Sequence, residues 1–151
     1  MRRPGHALLR SVLGRTLEPG TSFVRFLFQD PLARTRIINW ADFASASVAA
    51  LRREAGRYPH DGRLSALIDE LRASDHDVAR WWDDHMVRDY ASVTKRIEHP
   101  TAGTLAFDIE IVAAPHEPDQ TLVVYTAGRD SPTARLLPIL ASWDAETPIP
   151  R

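Results

Sequence analysis

Leu105-Ala106-Phe107-Asp108-Ile109-Glu110-Ile111 decides the fold. Leu105, Phe107, Ile109 and Ile111 alternate with Ala106, Asp108 and Glu110, so the segment is a strand with one face in the core and one in water. Outward from it the same period recurs. Val93 to Glu98 predicts a preceding strand, and His99-Pro100-Thr101-Ala102-Gly103 is the turn between them, punctuated by proline and glycine. In that turn His99 is placed to hydrogen-bond across the chain reversal. Pro115 to Asp119 reads as a loop, and Thr121 to Ala127 as a third strand. Short connections make the three an antiparallel meander.

On either side the period changes to that of helices. Ser131 followed by Pro132 is an N-cap with proline in the first turn. The helix behind it carries Leu136, Leu137, Ile139, Leu140 and Trp143, and Pro138 should kink or shorten it. Upstream, Ser74 is placed to cap a helix carrying Val78, Trp81 and Trp82, with Asp75 and Asp77 at the positive end of its dipole. Asp61 caps a helix whose Leu64, Leu67, Ile68 and Leu71 share one face. Ile37, Ala41, Ala44, Val48, Leu51 and Ala55 predict one long helix from Leu32 to Ala55, ended by Gly56 and Pro59. Phe23 to Phe28 is densely apolar and stops at Asp30-Pro31. His6 to Leu13 reads as a short helix closed by Gly14. The expected class is α+β, with helices packed on one face of the sheet and a helix at the C-terminal end. Residues 1–20 are expected to be an N-terminal helix and loop, 21–146 the folded domain, and 147–151 a loose tail.

The 151 residues suit one domain. The 19 Lys+Arg nearly cancel the 20 Asp+Glu, so the chain lacks the basic excess of a nucleic-acid-binding domain. There is no cysteine, which excludes disulfides, thiolate nucleophiles and cysteine-based metal sites. Met1-Arg2-Arg3-Pro4 is not followed by an apolar run, and nothing approaches the ~20 residues of a membrane span. A cytoplasmic chain is expected. No Gly-x-Ser-x-Gly elbow or phosphate-cradling glycine loop occurs. The six histidines include no i, i+4 pair, so no metal site, cofactor or catalytic residue is predicted.

Five phrases in order resemble the ligand-binding domain of MmyB-like transcription regulators. They are Phe26-Leu27-Phe28-Gln29-Asp30-Pro31 with Arg34 and Trp40; Val48 to Asp61; Leu67 to Ser74 with Trp82, His85 and Val87; Lys95 to Gly103; and Gln120 to Ala127 with Ser131. The resemblance implies a PAS-like sensor fold and an apolar, lipid-like ligand, with a fatty acid the natural candidate. It also implies a helix-turn-helix of the Cro/repressor (XRE) type as the DNA-contacting partner. No helix-turn-helix is read in residues 1–20, so DNA binding is expected to need a domain outside this chain. If the family's first strand is missing, the edge of Thr121–Ala127 needs cover from a second copy, the N-terminal segment or the tail.

A pocket under the sheet would be lined by Phe107, Ile109, Ile111, Val123 and Tyr125, faced by Phe23, Phe26, Phe28, Val48, Leu51, Trp81 and Trp82. The plainer reading of each is a closed core. Arg52, Arg53 or Lys95 could hold a ligand carboxylate, against the ordinary alternative of solvated or surface-paired charge. Three functions follow: a ligand sensor acting as a homodimer or monomer; a small cup-shaped enzyme using His85, Asp83 and Tyr125; and a dimerisation module with a filled core. The sensor, a non-enzyme, is the reading the residues and the resemblance share.

Overall fold

The computed structural model describes residues 22–84, 94–114 and 116–146. The predicted helix at 6–13, Val93, His85, Val87 and the tail at 147–151 lie outside them. Helix α1 (Phe23–Gln29) starts on the Ser22 cap and buries Phe26, Leu27 and Phe28. Asp30 ends it and caps α2 (Pro31–Arg36), accepting from the Leu32 N–H at 2.9 Å, while Pro31 takes the first turn.

The long helix expected from Leu32 to Ala55 is two helices. The chain leaves helical geometry at Ile37, which forms a β-bridge with Ile97, and the Ile38 N–H donates to the Arg96 carbonyl at 2.8 Å. Asn39 completes the junction: its amide donates to the Thr94 carbonyl at 2.7 Å and its oxygen accepts from the Arg96 N–H at 2.9 Å. The backbone of the first strand needs these partners, and supplying them outweighs helical continuity. Periodicity alone cannot see that competition. The next helix, α3 (Trp40–Arg57), contains Gly56 rather than ending at it. Its centre, Phe43 to Ala49, is buried on every side, whereas the predicted stripe residue Ala41 is exposed. Ser45 and Ser47 in this stretch donate to the carbonyls of Asp42 and Phe43, which satisfies their hydroxyls internally.

Asp61 caps α4 (Gly62–Ser74) through the N–H groups of Arg63 and Leu64, and Ile68 and Leu71 are buried. Asp75, not Ser74, caps α5 (His76–Asp83). Its carboxylate accepts from the Asp77 and Val78 N–H groups, and Ser74 closes the helix before.

Strands β1 (Lys95–His99), β2 (Gly103–Ala114) and β3 (Glu117–Thr126) form an antiparallel sheet in the order β1-β2-β3. The first half of β2 pairs with β1, from His99↔Gly103 to Lys95↔Phe107, and the second half pairs with β3, from Asp108↔Thr126 onward. Beyond the reach of β3, the Ala106 N–H donates instead to the Thr133 hydroxyl of the following helix at 2.9 Å. The turn works as its residues require: His99 Nδ1 accepts from the Thr101 and Ala102 N–H groups, and Gly103 takes φ 72°, where a side chain would be strained. The loop expected at Pro115–Asp119 is shorter, because β3 begins at Glu117 after an irregular register at Ala113/Ala114. Pro118 is compatible with this edge strand, where one N–H can be spared. Last comes α6 (Pro132–Glu146), capped by Ser131. It runs through Pro138 for its full 15 residues, so the expected shortening does not occur.

The α+β architecture is therefore as the alternation predicted. Leu105, Phe107 and Ile109 face the core with Ile97, against Leu27, Phe43, Leu71, Val78 and Leu140. Among the described residues no helix is long and apolar enough to cross a membrane.

Candidate ligand site

Strand β1 alternates buried and exposed from Lys95 to His99. That pattern turns Lys95 inward with Ile97 and His99, and only 3% of the residue is exposed. Its cross-strand partner on β2 is Phe107. Three rings surround the ammonium: Phe43 of α3 at 4.8 Å from Nζ to centroid, Phe23 of α1 at 5.0 Å and Tyr125 of β3 at 5.3 Å. Phe23 meets Phe43 edge-on, and Phe107 meets Tyr125 edge-on. The ring faces carry partial negative charge, so they attract the cation. They do not replace a counter-ion. Among the described residues no carboxylate pairs with Lys95, and burial pushes its pKa down to about 8. A buried amine walled by rings, with no carboxylate paired to it among the described residues, is suited to the polar head of a molecule whose body is apolar. Phe23 and Tyr125 are only partly buried, so this cluster lies at the margin of the core.

A second aromatic group lies around α3 and α5. Trp40 donates from Nε1 to the Leu27 carbonyl, Trp81 packs 5.7 Å from it, and the Arg34 guanidinium lies 3.7 Å over the Trp40 ring. Arg34 also pairs with Asp75 at 2.6 Å and Asp77 at 3.4 Å. Arg52 donates to the carbonyls of Trp81, Trp82 and Asp84, the unsatisfied end of α5 where the helix dipole is negative.

The sequence profile of the MmyB-like transcription regulator ligand binding domain matches residues 3–140. The chain belongs to that family. It is thus a ligand-binding domain of the kind found in these regulators, and a small-molecule ligand is the expected partner. No curated protein and no solved structure matches it.

Several phrases that carry the MmyB-like resemblance turn out to build the scaffold. Asp30-Pro31 is the junction of α1 and α2, Arg34 and Trp40 stack, Asp61 is a cap, and His99 to Gly103 is a hydrogen-bonded turn. Of the residues predicted to line a site, Phe23, Phe107 and Tyr125 are brought together about Lys95. Phe26, Phe28, Val48 and Ile109 lie in the buried core. Leu51, Trp81 and Trp82 pack, partly buried, on the core in the second group. Ile111 is opposite Val123 in the β2–β3 register, and Val123 is 45% exposed, which departs from the enclosed position expected of it. Arg52, expected as a carboxylate anchor, is engaged by the end of α5. Arg53 is exposed. Of the enzyme candidates, Asp83 pairs at the surface with Arg72 and Tyr125 stands by Lys95.

Phe43 was missed. It lies three residues after Trp40, one turn along α3, but the stripe drawn from Ile37 set a different phase. Another signal was present: Lys95 is the only lysine in the sequence, and every other member of the 19 Lys+Arg residues is arginine.

Proposed function

We propose that residues 21–146 form a PAS-like sensing unit that binds a lipid-like molecule, a fatty acid first among candidates, with its carboxylate at Lys95. The single observation that carries this is the aromatic enclosure of an ammonium that pairs with no carboxylate among the described residues. A carboxylate brought to that ammonium would supply the missing charge, and Phe23, Phe43, Phe107 and Tyr125 would contact the alkyl chain. The unit acts in the cytoplasm, as one half of a homodimer, and reaches DNA through a helix-turn-helix domain of the XRE type that lies outside this chain.

A route from ligand to partner domain is available. Phe23 is the first residue of α1, so a ligand that displaces its ring moves the start of the sensing unit, where the preceding segment joins. Such a ligand shifts the arrangement only by binding one state more tightly, and about 1.4 kcal/mol of difference gives a tenfold bias.

Mass spectrometry of an organic extract from the purified protein, followed by titration with dodecanoic acid, tests the proposal. A stoichiometric apolar acid in the extract, or saturable binding that Lys95→Met weakens at least tenfold, is expected. An empty extract together with no binding of the acid would sink it and favour a dimerisation module with a filled core.

A further inference from the structure

We propose that Lys95 is also a covalent capture site, at which an apolar aldehyde condenses with the side-chain amine to form an imine. This rests on the reading that a ligand head group reaches Lys95, and extends it from charge attraction to bond formation.

Residue identity is the first support. A guanidinium would hold a carboxylate in a two-pronged pair and never loses its proton, so it is the better residue for a pure anion anchor. This chain uses arginine for every other basic side chain apart from histidine, yet it has a lysine at this buried position. What lysine offers and arginine does not is an amine that can become a neutral nucleophile. The surroundings are the second support. Phe43, Phe23 and Tyr125 enclose Nζ at 4.8 to 5.3 Å, and no carboxylate among the described residues fixes it as an ammonium. Burial accordingly holds the amine at about 8, within reach of deprotonation near neutral pH. The same apolar walls suit the hydrocarbon next to the carbonyl and limit the water that would reverse the condensation.

The step balances without an oxidant or reductant. The free amine's lone pair attacks the carbonyl carbon, a C–N bond forms, and the carbonyl π pair moves to oxygen, which takes a proton. Nitrogen then forms the C=N bond, and oxygen departs as water carrying the two hydrogens that nitrogen has lost.

The full chain would be incubated with dodecanal and sodium cyanoborohydride, which reduces an imine to a stable secondary amine, and then mapped by tryptic peptides. Only Lys95 and the N-terminal amine can be labelled. Expected is one dodecyl group at Lys95, seen as lost cleavage after that residue. Labelling there should exceed that at the N-terminus at least tenfold, and excess dodecanoic acid should suppress it. Lys95→Arg, which keeps the charge, should abolish the internal label. Label at the N-terminus alone, in protein that still binds dodecanoic acid through Lys95, overturns covalent capture and leaves the sensor reading intact. Absence of both aldehyde capture and acid binding overturns the two together.

Discussion

Arg34 and Lys95 are both cations set against aromatic rings, and they are provided for in opposite ways. Arg34 lies 3.7 Å over Trp40, and its guanidinium reaches the carboxylates of Asp75 and Asp77. It stays partly in water, with 44% of its side chain exposed. Lys95 is almost fully enclosed and, among the described residues, has rings without a carboxylate. In the first region charge, aromatic face and counter-ion are all present, so the arrangement closes on itself and holds α2, α3 and α5 together. In the second no counter-ion is found among the described residues, and the burial cost of the charge is what the proposed ligand would offset. The two differ in what they lack, and that difference separates scaffold from the proposed site.

Breaking the closed arrangement should have the largest effect. Asp75 accepts from two N–H groups at the start of α5 and from Arg34, and is itself nearly buried. Asp75→Ala removes a helix cap and a charged acceptor together, and should destabilise the protein by roughly 2–3 kcal/mol in urea unfolding. The exposed guanidinium of Arg34 can turn to water, which keeps the loss from being larger. A change below about 0.5 kcal/mol would mean that Asp75 is not the structural member of the pair.

Legibility in the sequence followed the same division. Strand alternation, the turn at His99 to Gly103 and the Asp61 and Ser131 caps could be read because each depends on residues close in sequence. The break at Ile37–Asn39 could not, because its cause is Arg96, Ile97 and Thr94 some 60 residues later in the chain. The aromatic site was half legible. Phe107 and Tyr125 were named from their strands, and Lys95 as one of three candidate anchors with Arg52 and Arg53. Arg52 looked as suitable an anchor as Lys95, because nothing local says that its guanidinium will meet the last carbonyls of α5.

The open arrangement should respond in the other direction. Lys95→Met removes a buried charge that has no counter-ion among the described residues and keeps a side chain of similar length. The ligand-free protein should gain on the order of 1–3 kcal/mol at pH 7, less whatever the rings contribute, even as acid binding is lost. The pH dependence follows from a folded pKa of about 8 against 10.5 for a lysine free in water. Below 8 the amine is charged in both states and the folded protein bears the whole burial cost. Between 8 and 10.5 only the unfolded state holds the proton, so wild-type stability rises with pH relative to the variant. Above 10.5 the cost is gone. Urea midpoints for both proteins from pH 7 to 10.5 should therefore converge. Curves that stay parallel would show that Lys95 is not uncompensated.

A third cation calibrates both. Arg25 pairs with Glu70 at 2.7 Å on the surface, and Gln29 adds a hydrogen bond to the same carboxylate. Those bonds hold the Glu70 carboxyl down at about 2. With both partners open to water and salt, Arg25→Gln should lower the neutral-pH unfolding midpoint only slightly. The pH dependence of that small effect lies in the acid limb. A depressed carboxylate pKa contributes stability above the unfolded value near 4.5, and that contribution fades as pH falls toward 2. Removing Arg25 should separate the wild-type and variant curves by the same slight amount from pH 7 to pH 5 and let them meet near pH 2. A difference at neutral pH as large as that from Asp75→Ala would mean that exposure does not separate these cations. Compensation by carboxylates could then no longer be used to tell the scaffold from the site.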